Sequence, residues 1–125
     1  MATSTDAFFD RLGQGQSVEV LGATRGSIRF DLRDGRRTAH WRVELGRNGT
    51  TVSRSGDPAD CIVKVDQAVF DDLVEGRQSP MPALLRGLVA VEGDPELLVR
   101  FQRVFPVVEH RPDAASARTV GKRRG

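Results

Sequence analysis

Four places in this chain hold side chains that could do chemistry, and their positions decide whether any of them forms a site. Cys61 with His40 would make a thiol–imidazole pair. Asp71-Asp72, and Asp31 with Asp34, are close carboxylate pairs of the kind used in general acid–base work, and Gly13-Gln14-Gly15 has two glycines of a phosphate-binding loop. Cys61, Val63 and Val65 alternate onto one face, whereas Trp41, Val43 and Leu45 take the dry side of another strand and leave His40, Arg42 and Glu44 on its wet side. Thiol and imidazole therefore point apart. The carboxylate pairs fall on a helix and a hairpin, where they read as solvated faces. The glycines have no strand before them and no Lys-Ser or Lys-Thr after them. No catalytic residue is nominated, and the chain is expected not to be an enzyme. With a single Cys and two His, neither a metal nor another cofactor is expected.

The elements that must position these residues follow from periodicity. Ser4 or Thr5 can cap a short helix with Ala7, Phe8 and Leu12 on one side, ending near Gly13. Val18 to Leu21 fit either a short edge strand or a packed loop. From Ser27 the period is two: Ile28, Phe30 and Leu32 alternate with Arg29, Asp31 and Arg33, Asp34-Gly35 turns, and the Trp41 strand returns as a hairpin. Asn48-Gly49 leads into a polar strand, Thr50 to Ser55, suited to a sheet edge. After Gly56-Asp57-Pro58, Ala59 to Val65 make a fourth strand. Asp66 then caps a helix striped by Val69, Phe70, Leu73 and Val74, which Gly76 stops.

The stretch from Ser79 to Pro106 carries the clearest signals. Ser79 is an N-cap followed by Pro80, and Met81, Leu84, Leu85 and Leu88 recur at helical spacing. Leu88 to Val91 suit a short strand ending at Gly93. Asp94-Pro95 opens a final helix with Leu97, Leu98, Phe101, Val104 and Phe105 along one side, and Pro106 ends it. Strands grouped in sequence with one polar face predict an α+β domain, its largely antiparallel sheet covered on one side by helices.

Composition bounds the class. At 125 residues the chain is expected to form one domain, residues 1–106, large enough to bury a core without crosslinks. No apolar run approaches the roughly 18 residues of a membrane span, and the start, MATSTDAFFDRL, lacks the basic and apolar regions of a signal peptide, so a cytoplasmic location is expected. The pI near 9.3 does not indicate nucleic acid. Residues 107–125 carry Arg111, Arg118, Lys122, Arg123 and Arg124 against Glu109 and Asp113, leaving the body close to neutral, and no aromatic residues interleave with a basic groove. This basic tail, aperiodic and polar, is expected to be disordered, dispensable for folding, and suited at most to weak contact with a membrane surface.

Taken together, Arg25-Gly-Ser-Ile-Arg-Phe-Asp-Leu32, the strand opened by Trp41, Asp57-Pro-Ala-Asp-Cys61, the helix ending Glu75-Gly76, and Leu88-Val-Ala-Val-Glu-Gly-Asp-Pro95 with its Leu/Phe helix resemble the sterol carrier protein type 2 family over about residues 25–106. The resemblance implies a five-stranded sheet with helices over one face and an apolar tunnel between the layers for an acyl lipid, sterol or other small apolar molecule. It brings no reaction with it. The ending Lys122-Arg123-Arg124-Gly125 departs from the Ser-Lys-Leu type of eukaryotic members, which favours a bacterial, cytoplasmic setting.

Within that implied tunnel, Trp41, Val43, Phe70, Leu73, Leu98, Phe101 and Phe105 are the candidate lining from sheet and helices. Met81, Leu84, Leu85 and Leu88 are the candidates from the short Pro-bounded helix, whose weak intrinsic stability suits a lid. The expected function is binding or carriage of such a ligand. The alternative is a structural, oligomerisation or partner-docking module whose cavity is filled by side chains.

Overall fold

Alternation with a period of two carries the middle of the chain into a sheet. The structure, a computed structural model, describes residues 3–15, 18–47 and 49–106. Strands β1 (Gly26–Asp34), β2 (Arg37–Gly46), β3 (Gly49–Ser53), β4 (Cys61–Asp66) and β5 (Val89–Gly93) form a five-stranded sheet in the order β3-β2-β1-β4-β5. The Asp34-Gly35 turn sets Phe30 opposite Trp41 and Ile28 opposite Val43. β1 and β4 run parallel, with Phe30 beside Val63, and the other pairings are antiparallel. The polar strand β3 is an edge, as its composition predicts.

This order requires residues 54–60 to travel from β3 past β2 and β1 to β4. An extended chain of that length reaches about 23 Å, more than the roughly 14 Å across three inter-strand spacings. The connector runs over the sheet's wet face. Arg29 Nη1 donates to the carbonyls of Gly56 (2.8 Å) and Asp57 (3.3 Å), and Arg42 Nε donates to that of Pro58 (3.1 Å). Two arginines that alternation assigns to a solvated face thus hold a strap on it.

The dry face carries Ile28, Phe30, Leu32, Trp41, Val43, Leu45, Cys61, Val63 and Val65, all buried under helices. These are α1 (Ser4–Gly13), α2 (Val18–Leu21), α3 (Gln67–Val74), α4 (Pro80–Leu85) and α5 (Pro95–Phe101), the last continued by a 3-10 turn at Gln102–Val104. Asp94 caps α5 by accepting from the Glu96 amide. Pro95 takes the first turn, where a missing N–H costs nothing.

Several elements differ from their sequence reading. Residues Val18–Leu21 are a helical turn, neither strand nor loop. The α1 cap is Thr3, in a reciprocal capping box with Asp6, which frees Thr5 to be buried inside the helix. Asp66 stands at the N-cap position of α3 without capping it, because its carboxylate accepts from Arg33 Nε (3.2 Å). Helix α4 stops at Leu85, and β5 begins at Val89 rather than Leu88. A helix of about one and a half turns has too few residues for periodicity to fix its rotation: α4 buries Ala83, and Leu85 stands 84% exposed. The basic tail lies outside the described residues.

Candidate functional site

All six phenylalanines and the single tryptophan meet in the layer between sheet and helices. β1 and β2 supply Phe30 and Trp41, and α3 supplies Phe70. α5 and the segment after it supply Phe101 and Phe105, and α1 supplies Phe8 and Phe9. Phe9 lies at the centre. Its ring stacks on Trp41 at 4.4 Å with planes 9° apart, and on Phe70 at 5.7 Å with planes 4° apart. Phe8 stacks on Phe105 at 5.1 Å, while Phe30 and Phe101 approach at 5.3 Å with tilted rings. On the other side of Trp41, the Arg54 guanidinium sits 4.5 Å from the ring centroid. The layer is apolar and aromatic, and among the described residues its buried cluster includes no charged side chain.

The structure gathers Trp41, Val43, Phe70, Leu73, Leu98, Phe101 and Phe105 into this buried layer. Leu84 and Leu88 are only half-buried against its margin, and Met81 is half-buried on α4. Leu85 is outside the layer altogether, which corrects the expectation that it faces inward beside Leu84. Phe9 is the residue that sequence reasoning missed. Thr5, Phe8, Phe9 and Leu12 are the buried positions of α1, at i, i+3, i+4 and i+7, so the signal was present and assigning Ala7 to that side displaced it.

The wet face carries its own polar cluster. Asp31 is buried (7% exposed), correcting its reading as a solvated carboxylate. Arg29 grips it through Nε (2.9 Å) and Nη2 (3.1 Å), and His40 Nδ1 lies 2.7 Å from the same carboxylate. Burial pushes the Asp31 carboxyl up, but the hydrogen bonds and charges of Arg29 and His40 outweigh it and hold it below the usual range. A carboxylate with a depressed folded-state value stabilises the fold above its unfolded value near 4, and this contribution is lost as pH falls through the folded value. Asp31→Asn is therefore expected to cost about 1–3 kcal/mol at neutral pH. It should also flatten the loss of stability below about pH 4, as read from urea midpoints across pH. Asp31, Arg33, Thr38, Lys64 and Ala90 of this face line a groove of about 540 Å³ that continues to Val69 on α3 and to Leu88.

Cys61 and His40 do lie on opposite faces. The thiol is fully buried, and burial, with the nearby Asp94 charge, pushes it up to about 11. It is protonated at neutral pH and poorly nucleophilic. Its reaction with an aromatic disulfide reagent at pH 8 is expected to follow global unfolding, with full modification only in denaturant. Among the described residues, no group of three His, Cys, Asp or Glu side chains could share a metal ion. No described helix is long and apolar enough to cross a membrane.

An apolar layer roofed by helices on a sheet of order β3-β2-β1-β4-β5 is matched in sequence as well. Residues 8–106 match the SCP-2 sterol transfer family. The chain belongs to this family. Its fold is similar to that of sterol carrier protein 2 from Yarrowia lipolytica in its apo form, with TM-score 0.67 and 20% identity, covering 81% of this chain and 88% of that one. It is also similar to sterol carrier protein-2 from Aedes aegypti in complex with palmitate, with TM-score 0.64 and 16% identity, covering 85% and 100%. The stereoselective inverting sec-alkylsulfatase Pisa1 from Pseudomonas sp. contains the same fold, with TM-score 0.68 and 21% identity, covering 86% of this chain and 17% of the sulfatase. The fold thus occurs alone and as part of a much larger enzyme.

Proposed function

We propose that this protein binds and carries an acyl lipid or another small apolar molecule in the layer between sheet and helices, without catalysing a reaction, in the cytoplasm. The observation that carries this reading is the continuous apolar layer around Trp41, Phe70 and Phe101 in a chain of the sterol transfer family. The palmitate complex of the mosquito neighbour supports a fatty acyl chain as the ligand class. Trp41, Val43, Phe70, Leu73, Leu98, Phe101 and Phe105 are the proposed lining. Leu84 and Leu88 stand at its margin, with Met81 and the exposed Leu85 on the short helix beside it.

A buried methylene contributes about 0.8 kcal/mol, so ten give roughly 8 kcal/mol before ordering costs, enough for affinity of micromolar order with little selectivity. The sequence of the tail, from Arg111 to Arg124, suits weak attraction to an anionic surface. Native mass spectrometry of protein purified from its host tests the reading. Co-purified acyl lipid, released on unfolding, is the expected result. Protein that emerges bare and shows no saturable uptake of any fatty acid or sterol would identify a module whose layer is permanently filled.

A further inference from the structure

The slot proposed for the ligand is occupied by the protein's own rings, so something must leave before a lipid enters. We propose that α1 is the door of the layer, with Phe9 as its plug and a part-buried Thr5–Asp71–Gln67 network as its latch. The inference rests on the reading that an acyl ligand lies between the layers.

Phe9 fills the gap between Trp41 and Phe70 in face-to-face contact with both. An acyl chain, whose carbon contacts also lie at roughly 4 Å, can take the same place. The elements that hold the other rings cannot move as cheaply. Phe30 and Trp41 belong to paired strands, α3 follows β4 directly, and α5 is tied to the sheet through the Asp94 amide, which donates to the Asp60 carbonyl at 2.9 Å. Helix α4 buries only Ala83, so its departure would vacate no ring position. Helix α1 carries no ladder hydrogen bond of the sheet. It is held by the apolar contacts of Phe8, Phe9 and Leu12, by a surface contact of Ser4 with Glu75, and by a polar device set deeper in the interface.

That device is Thr5, 3% exposed in an otherwise apolar helix face. Its hydroxyl donates to Asp71 Oδ1 (2.9 Å) and accepts from Gln67 Nε2 (2.9 Å), and the same Nε2 donates to Asp71 Oδ1 (3.0 Å). A buried hydroxyl between two α3 side chains resists separation, because each group would have to be resolvated or left unpaired. If binding requires the open form, the apparent association rate and affinity scale with the open fraction, so weakening the latch raises both.

Trp41 reports the door directly, since the chain has one Trp and no Tyr and Phe9 shields one face of its indole. The test compares wild type, Thr5→Val, Gln67→Leu and the control Ser27→Ala. Ser27→Ala breaks the Ser27–Asp60 contact without touching α1. Acrylamide quenching of Trp41 is measured without lipid, and palmitate association is followed by stopped flow.

Both latch variants are expected to raise the quenching constant at least about twofold and the palmitate association rate about tenfold, the factor for 1.4 kcal/mol, with the control unchanged. Should one latch variant fail to fold, the other carries the comparison. The door is overturned if palmitate binds saturably while the latch variants leave its rate unmoved, or if Ser27→Ala accelerates uptake equally. Absence of saturable binding in every variant overturns the carrier reading, and the door with it.

Discussion

Gly93→Ala is expected to destabilise the native state severely. Gly93 ends β5 with φ +87°, in the left-handed region, and a Cβ built on it would lie 2.2 Å from the Asp60 carbonyl oxygen and 3.2 Å from its carbon. The obstacle is backbone and cannot swing aside. Asp60 is pinned on both sides, since its carboxylate accepts from the Ser27 amide (3.0 Å) and its amide donates to Ser27 Oγ (3.0 Å), while its carbonyl accepts from the Asp94 amide. Making room for a methyl group would pull β4 from β1 or β5 from β4. The conformational cost alone is about 1–3 kcal/mol, and the clash adds to it against a total stability of order 5–15 kcal/mol. Insoluble protein, or a melting temperature lower by more than about 15 °C, is the expected outcome. Gly35→Ala separates the two contributions. At φ +63° with nothing within 4 Å of the added carbon, Gly35 meets only the conformational penalty. A drop of about 1 kcal/mol in urea unfolding is expected there, and equal effects at the two positions would show that the Asp60 contact is not what matters.

Phe9→Ala is expected to cost about 3–5 kcal/mol and to lower the melting temperature by at least roughly 12 °C. Phe9 is 1% exposed and touches Phe8, Phe30, Trp41 and Phe70, so the vacated volume is walled by rigid rings that cannot collapse into it. The truncation also clears the slot. Saturating palmitate is therefore expected to raise the melting temperature of Phe9→Ala more than that of wild type, because ligand binding to the native state stabilises it by mass action and wild type must first displace the ring. A variant that melts like wild type would mean that Phe9 is not the centre of the layer.

The sheet was legible because a period of two fixes faces as well as elements. Ile28, Phe30 and Leu32 opposite Trp41 and Val43, and the Asp34-Gly35 turn between them, determine register once one side is buried. Phe70, Leu98 and Phe101 were legible as buried positions because their helices repeat the apolar stripe over enough residues. The parallel pairing of β1 with β4 was not, because alternation is blind to strand direction and Gly56-Asp57-Pro58 marks a break without saying where the chain goes next. Leu85 shows the limit in a short helix, where a shift of one residue in facing turns a lining candidate into the most exposed leucine of the body. Asp31 shows the limit on the polar face. Its burial comes with His40 from the neighbouring strand and with the strap that Arg29, two residues back on the same strand, holds down, and alternation along β1 encodes neither.

Where the acyl chain lies can be measured directly from intermolecular nuclear Overhauser effects between palmitate and the protein at saturation. Contacts from the chain methylenes to the rings of Trp41, Phe70 and Phe101 are expected, with the Phe9 ring displaced from its place between Trp41 and Phe70. Contacts confined to Thr38, Lys64 and Ala90, which line a groove on the opposite face of the sheet, would contradict binding between the layers.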